Sequence, residues 1–180
     1  MSTTAAGIQY NTVSDPTSVV GGTGPLAPLG FVLERPTANG GIQEWVYVEA
    51  GAAGINPGCA VMRDAASLTY KGVPTTIAVD PVHPARILGV AQHAIGNGQF
   101  GFILKRGLGI VQAGNGAVVA ADTPLTTAGT VVAGTFAAAV SNASGILDTG
   151  DKIIAWCVTA SLASGPAPAG QGTAMIDCKG

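Results

Sequence analysis

Charge is what this sequence has least of. Only 10% of its 180 residues are Asp, Glu, Lys or Arg, against roughly 25% in an ordinary soluble domain. The net charge is -2, so the basic footprint of a nucleic-acid binder is absent. Few titratable groups also leave little material for an active site, because catalysis needs several of them tuned together. Aromatic residues make up only 5%. Histidine is reduced to His83 and His93, with no H-x-x-x-H or C-x-x-C anywhere, so no stretch has metal-ligand spacing. Cys59, Cys157 and Cys178 are odd in number and far apart, which reads as reduced or buried thiols rather than a disulfide framework. The opening Met-Ser-Thr-Thr-Ala-Ala-Gly has neither a basic region nor an apolar core, so no signal peptide is expected. Hydrophobic residues reach 47%, yet no run approaches the ~18 apolar residues of a spanning helix, so no membrane segment is expected.

Catalytic signatures are missing as well. Gly96-Asn-Gly-Gln-Phe-Gly101 matches G-x-G-x-x-G, but Phe102-Ile-Leu104 follows it. A phosphate cradle needs a helix N-terminus there, so the match reads as a hairpin loop. No G-x-S-x-G elbow, P-loop or calcium loop occurs. Glu34, Glu44 and Glu49 lie on or beside early strands, with Glu44 and Glu49 on opposite faces, which argues against an acid/base pair. No catalytic residue, metal site or cofactor is assigned.

What is there is short apolar runs between turn signals. Arg86 to Gln112 holds three, Ile87–Ala91, Phe100–Leu104 and Leu108–Val111, each of strand length. Asn97-Gly98 separates the first two and is a strong hairpin signal. Lys105-Arg106-Gly107 separates the others. A three-stranded antiparallel meander is expected, with the rest of the chain packed around it. Before it come Phe31–Glu34, ended by Pro36, then Ile42–Glu49, Cys59–Met62, Leu68–Tyr70 and Thr75–Val79. After it come Ala117–Ala120, Thr123–Thr127, Thr130–Val132, Ile153–Ala160 and a closing Thr173–Cys178. The segment 134–144 is Ala-rich and fits either a helical turn or a strand. Ile153–Ala160 is apolar on both faces, as in a buried central strand. Turns recur about every eight to twelve residues, the spacing of a sandwich or barrel.

The expected fold is therefore all-β: a single β-sandwich or barrel-like domain of short antiparallel strands over 29–180, preceded by an extended N-terminal arm over 1–28. Asp15 is the arm's one charged side chain, and Ile8, Tyr10, Val13, Val19, Val20 and Leu26 are isolated apolar anchors along it. Such an arm suits ordering against a partner. On the Ile42–Glu49 strand, Trp45 and Tyr47 share one face and Val46 and Val48 the other. Trp45 and Tyr47 are candidates for an oligomer or partner interface, with core packing as the plain alternative. A surface this poor in charge suits a protein that spends its life assembled.

Several segments carry a family resemblance. Ile87–Ala91 (Ile-Leu-Gly-Val-Ala), Gly107–Gln112 (Gly-Leu-Gly-Ile-Val-Gln), Asp122–Gly129 (Asp-Thr-Pro-Leu-Thr-Thr-Ala-Gly) and Ile153–Ser161 together resemble the small capsid decoration, or cement, proteins of tailed bacteriophages. The resemblance spans roughly residues 57–163, with Ala155 where the family usually carries glycine. It implies a β-rich structural virion protein, made in the bacterial host's cytoplasm. Such a protein binds the major capsid protein on the outer surface of the head and reinforces joins between capsomers. Self-association as a homotrimer, or less often a dimer, is implied too, and no catalytic residue belongs to the pattern. The alternative is a head-fibre or tail-associated module that binds host-surface carbohydrate, in which Trp45 and Tyr47 would be stacking platforms.

Overall fold

A computed structural model describes residues 25–37, 41–51, 54–64, 70–74, 87–114, 119–127, 134–139, 154–158, 161–162 and 170–178. The anchors Ile8, Tyr10, Val13, Val19 and Val20, together with His83, Thr75–Val79 and Thr130–Val132, lie outside them. Among the described residues the protein is all-β, with no helix. The strands are β1 (Val32–Pro36), β2 (Ile42–Ala50), β3 (Ala60–Arg63), β4 (Lys71–Pro74), β5 (Ile87–Ala91), β6 (Phe100–Gln112), β7 (Val119–Ala120), β8 (Pro124–Thr127), β9 (Phe136–Ala138), β10 (Ala155–Cys157), β11 (Ser161–Leu162) and β12 (Gln171–Asp177). The Ala-rich segment thus resolves, where described, as strand β9.

Strand β6 organises the molecule, in a way that corrects the expected meander. Lys105-Arg106-Gly107 does not reverse the chain. It is a bulge inside one strand of 13 residues: opposite β2 the register slips between Glu44↔Arg106 and Trp45↔Leu104, leaving Lys105 as the extra residue. Gly107 follows at φ +117°, a conformation that bends the strand without turning it back. Ahead of the bulge β6 pairs with β2 and β5, and beyond it with β12. The Asn97-Gly98 signal does mark a turn. Gln99 N–H donates to Gly96 O at 3.0 Å, and Gly98 takes φ +69° while Asn97 stays at negative φ. Only the second central residue is left-handed, so the turn has a type II pattern rather than the doubly left-handed I′ form.

Pairings β2–β4, β4–β3, β3–β5, β5–β6 and β6–β2 close a five-stranded ring. A closed ring with an odd number of strands cannot alternate direction throughout. One pair must be parallel, and it is β2–β4; the other pairings between the named strands are antiparallel, as expected. From β6 the sheet continues outward as β12, β10, β8 and β9. The alternation along β2 sorts its side chains as expected. Val46, Val48 and Ala50 join Val61, Ala91, Ile95 and Ile103 in one buried cluster. Trp45 and Tyr47 join Phe100, Phe102, Leu104, Leu125, Phe136, Ala155 and Ile176 in a second.

This second cluster absorbs most of the chain's aromatic residues: Phe31, Trp45, Tyr47, Phe100, Phe102 and Phe136 all pack in or against it. Tyr47 and Phe102 have ring centroids 4.9 Å apart, and Phe31 meets Phe102 edge-on at 6.4 Å. The residues ahead of β1 are tied to the same place. Ala27 is buried, Gly30 N–H donates to Tyr47 O at 2.8 Å, and Leu26 N–H donates to Tyr47 Oη at 3.3 Å.

Candidate interaction face

Trp45 and Tyr47, read as interface candidates with core packing as the alternative, lie in the core. Their side chains are 3% and 1% exposed, fixed in the core by Phe100, Phe102 and Leu104, so neither offers a surface to a partner or a sugar. Of the six arm anchors, Leu26 lies among the described residues and is exposed.

The open apolar surface lies instead on the outer side of β6, β12 and β10. Trp156 stands opposite Met175, and Met175 stands opposite Leu108, in one row across the three strands. Two residues along β6, Ile110 stands opposite Thr173, whose carbonyl accepts from Val158 N–H at 2.9 Å. Leu108, Ile110, Met175, Trp156 and Val158 are 44%, 39%, 46%, 46% and 52% exposed. The inward positions between them are small: Gly109, Ala174, Ala155 and Cys157. A Cβ on Gly109 would come within 2.4 Å of Leu104 Cδ2 and 2.9 Å of the Gln92 amide, so a side chain there would have to displace both. Apart from Val111 and Ile176, the inward residues here are small while the outward ones are large and apolar, the reverse of a strand with one wet face. This corrects the reading of Ile153–Ala160 as apolar on both faces because both are buried: β10 is a central strand with one face open.

The free edge of β6 beside this face is closed by side chains. Beyond the bulge, β6 has parted from β2. Gln43 Nε2 donates to Leu108 O at 2.8 Å, and Gln92 both accepts from Ile110 N–H at 2.7 Å and donates to Ile110 O at 3.1 Å. Two amides thus stand in for a neighbouring strand and block edge-to-edge pairing. The flat face, rather than the edge, is what remains available.

One end of the face opens into a cleft of about 560 Å³, lined by Ile42 and Met175 together with Glu34, Glu44, Arg106 and Asp177. Arg106 and Asp177 are cross-strand partners. Glu34 and Glu44 are paired across β1 and β2, a like-charge arrangement that costs stability. Lys105 Nζ, 2.7 Å from Glu44 Oε1, offsets it. Glu49 is likewise engaged, 3.3 Å from Lys71 Nζ. Among the described residues no three His, Cys, Asp or Glu side chains cluster closely enough to hold a metal ion. Gly96–Gly101 forms the hairpin loop entering β6, with no helix after it.

All three thiols are buried. Burial pushes Cys59 from the ordinary 9.0 up to about 11, and burial with the neighbouring Asp177 carboxylate pushes Cys178 up to about 12. For an acid raised in the folded state, the stabilisation is complete below the unfolded value and is lost as pH rises towards the folded one. The melting temperature should therefore fall as pH climbs above about 9, and a Cys59→Ala, Cys178→Ala double variant should lose much of that slope. At pH 8 an aromatic disulfide reagent should react with these two thiols only after denaturant is added. Rapid labelling of the native protein would contradict their placement. Burial likewise lowers His93 below its ordinary value.

No family model matches the chain, and no curated protein matches it.

Proposed function

We propose that this is a structural virion protein that binds the outer surface of a tailed-phage head and reinforces the joins between capsomers. The observation that carries the reading is the open apolar face of β6, β12 and β10 on a chain with only 10% charged residues. Apolar patches of that kind mark contact surfaces, and a surface with few charges is poorly suited to a free monomer. The family resemblance supplies the head as the setting. Its segments fall on β5, β6, β8 and β10, the strands that run through the sheet carrying this face. On this reading the protein is not an enzyme, takes no cofactor, contacts the major capsid protein and associates with copies of itself.

The stabilisation works by mass action. A protein that binds only the assembled shell favours it by about 2.7 kcal/mol per site at a hundredfold excess over Kd, repeated at every occupied position. The proposed shell contact is the 1–28 arm, on the strength of its single charge and spaced apolar residues; Ala27 packs into the core, so the part to remove is 1–24. Deleting it should leave a cooperatively melting protein whose co-sedimentation with emptied phage heads is weakened at least about tenfold, as expected when several anchor contacts are removed together. Undiminished binding would rule out the segment, and no binding by the intact chain would rule out the capsid reading. The carbohydrate-binding alternative loses its platforms, because Trp45 and Tyr47 are buried. The exposed Trp156 has Pro124 and Met175 as its cross-strand neighbours, not the carboxylates and amides of a sugar site.

A further inference from the structure

We infer that the outer face of β6, β12 and β10 is covered by a second copy of this chain, packed face to face about a two-fold axis. The inference rests on reading that face as a contact surface, and names what occupies it.

Size is the first argument. The five outward side chains Leu108, Ile110, Met175, Trp156 and Val158 are 39% to 52% exposed, a patch of roughly 300–600 Å², the scale at which apolar surface is often functional. One side of a standard interface is about 800 Å², a little over half of it apolar, so the face supplies close to one full apolar share. Shape is the second. Cross-strand register sets Trp156, Met175 and Leu108 in a row, and a sheet face of this kind buries itself against another sheet at about 10 Å, as in a sandwich.

Charge is the third. No ionisable side chain stands among the five, so a copy of the same row buries no charge against it; the end of the face, with Glu34, Glu44 and Asp177 against Arg106, is net acidic. Symmetry is the fourth. Among the described residues the other exposed large apolar side chains are Ile42, at the mouth of the cleft, and Leu26 and Val32, away from the row on the β1 side. A two-fold buries one patch against itself, while a ring of three joins two unlike patches. One continuous patch fits the two-fold.

The chain's two tryptophans make the test direct, since Trp45 is buried in the core and Trp156 lies on the face. Sedimentation of the full-length protein across nanomolar to micromolar concentration would be run beside acrylamide quenching of its fluorescence. A dimer should form, with the quenchable fraction falling as it does. Met175→Glu and, separately, Leu108→Glu should each weaken self-association at least about thirtyfold, the effect of spoiling one central contact. Both side chains already reach solvent, so the circular dichroism of the monomer should not change. If one variant fails to fold, the other and the wild-type concentration series carry the test.

A trimer, or an oligomer indifferent to both substitutions, would overturn the proposal. So would a monomer at all concentrations, whether Trp156 is quenchable or is shielded by the chain's own remaining residues. Head binding is scored separately. A monomer that still co-sediments with heads would refute the two-fold and leave the capsid reading intact, and a dimer that ignores heads would do the reverse.

Discussion

Replacing Phe102 by alanine should cost about 3–5 kcal/mol, the range for a fully buried aromatic whose cavity cannot collapse. Phe102 is completely buried, and its ring touches Tyr47 on one side and Phe31 on the other. Those two contacts join three parts of the chain: the residues before β1, strand β2 and strand β6. Collapse into the hole is opposed because Tyr47 is held from both ends. Its backbone is bonded to Gly30 and Phe31, and its hydroxyl accepts from Leu26. For a chain of this length each kcal/mol lowers the melting temperature by about 2–4 °C, so a fall of about 6–20 °C is expected. A shift below about 3 °C by calorimetry would mean the ring cluster does not hold the β2–β6 pairing together. The aliphatic cluster of Val46, Val48, Val61, Ile95 and Ile103 on the other face of β2 keeps the rest of the pairing in place, so the loss should be confined to the expected range.

Gly107→Val should cost about 3 kcal/mol or more, since it adds side-chain displacement to a backbone conformation that β-branched residues avoid. Gly107 sits at φ +117°, and a Cβ there would stand 2.9 Å from Gln43 Cγ and 3.3 Å from both Gln43 Cα and Ile42 O. The control is Gly98→Ala, also at positive φ (+69°) but with nothing within 4 Å of the added carbon, which should cost only about 1–2 kcal/mol. Urea unfolding of both variants decides the matter, and equal costs would show that the bulge tolerates a side chain. The Gly107 variant should also lose self-association beyond its loss of stability, because the bend after Lys105 directs Leu108 and Ile110 outward. Gln43, which bonds Leu108 O, would be the first group pushed aside.

The all-β character of this protein was legible from short apolar runs, Gly and Pro punctuation and the alternation along Ile42–Glu49, because those patterns depend on residues near one another in the chain. The turn at Asn97-Gly98 was legible for the same reason. The division of β2 into two faces was also correct, since a pleat leaves no other choice. The state of each face was not legible. Trp45 and Tyr47 are large and amphipathic, which suits an interface as well as a core, and only the arrival of Phe100, Phe102 and Leu104 from β6 decided for the core. Trp156 was read as buried because its strand is apolar on both faces, yet whether a second layer covers a face depends on segments remote in sequence. One local sign did exist: Leu108, Met175 and Trp156 stand beside small Gly, Ala or Cys residues, although Val111 and Ile176 put bulk inward on the same strands.

Strand β6 shows the same limit. Lys105-Arg106-Gly107 is a polar, glycine-bearing break by every local criterion. It became a bulge because β12 offers Arg106 to Gln112 a partner on the far side, and continuing the ladder satisfies more backbone groups than a turn would. The parallel β2–β4 pair could not be read from either strand, since it follows from closing five strands into a ring. The sequence by itself determined that the chain makes strands, where several of them turn, and that its surface is poor in charge. The tertiary structure alone decided which apolar side chains face each other and which face outward, because that depends on which strands meet across long stretches of chain.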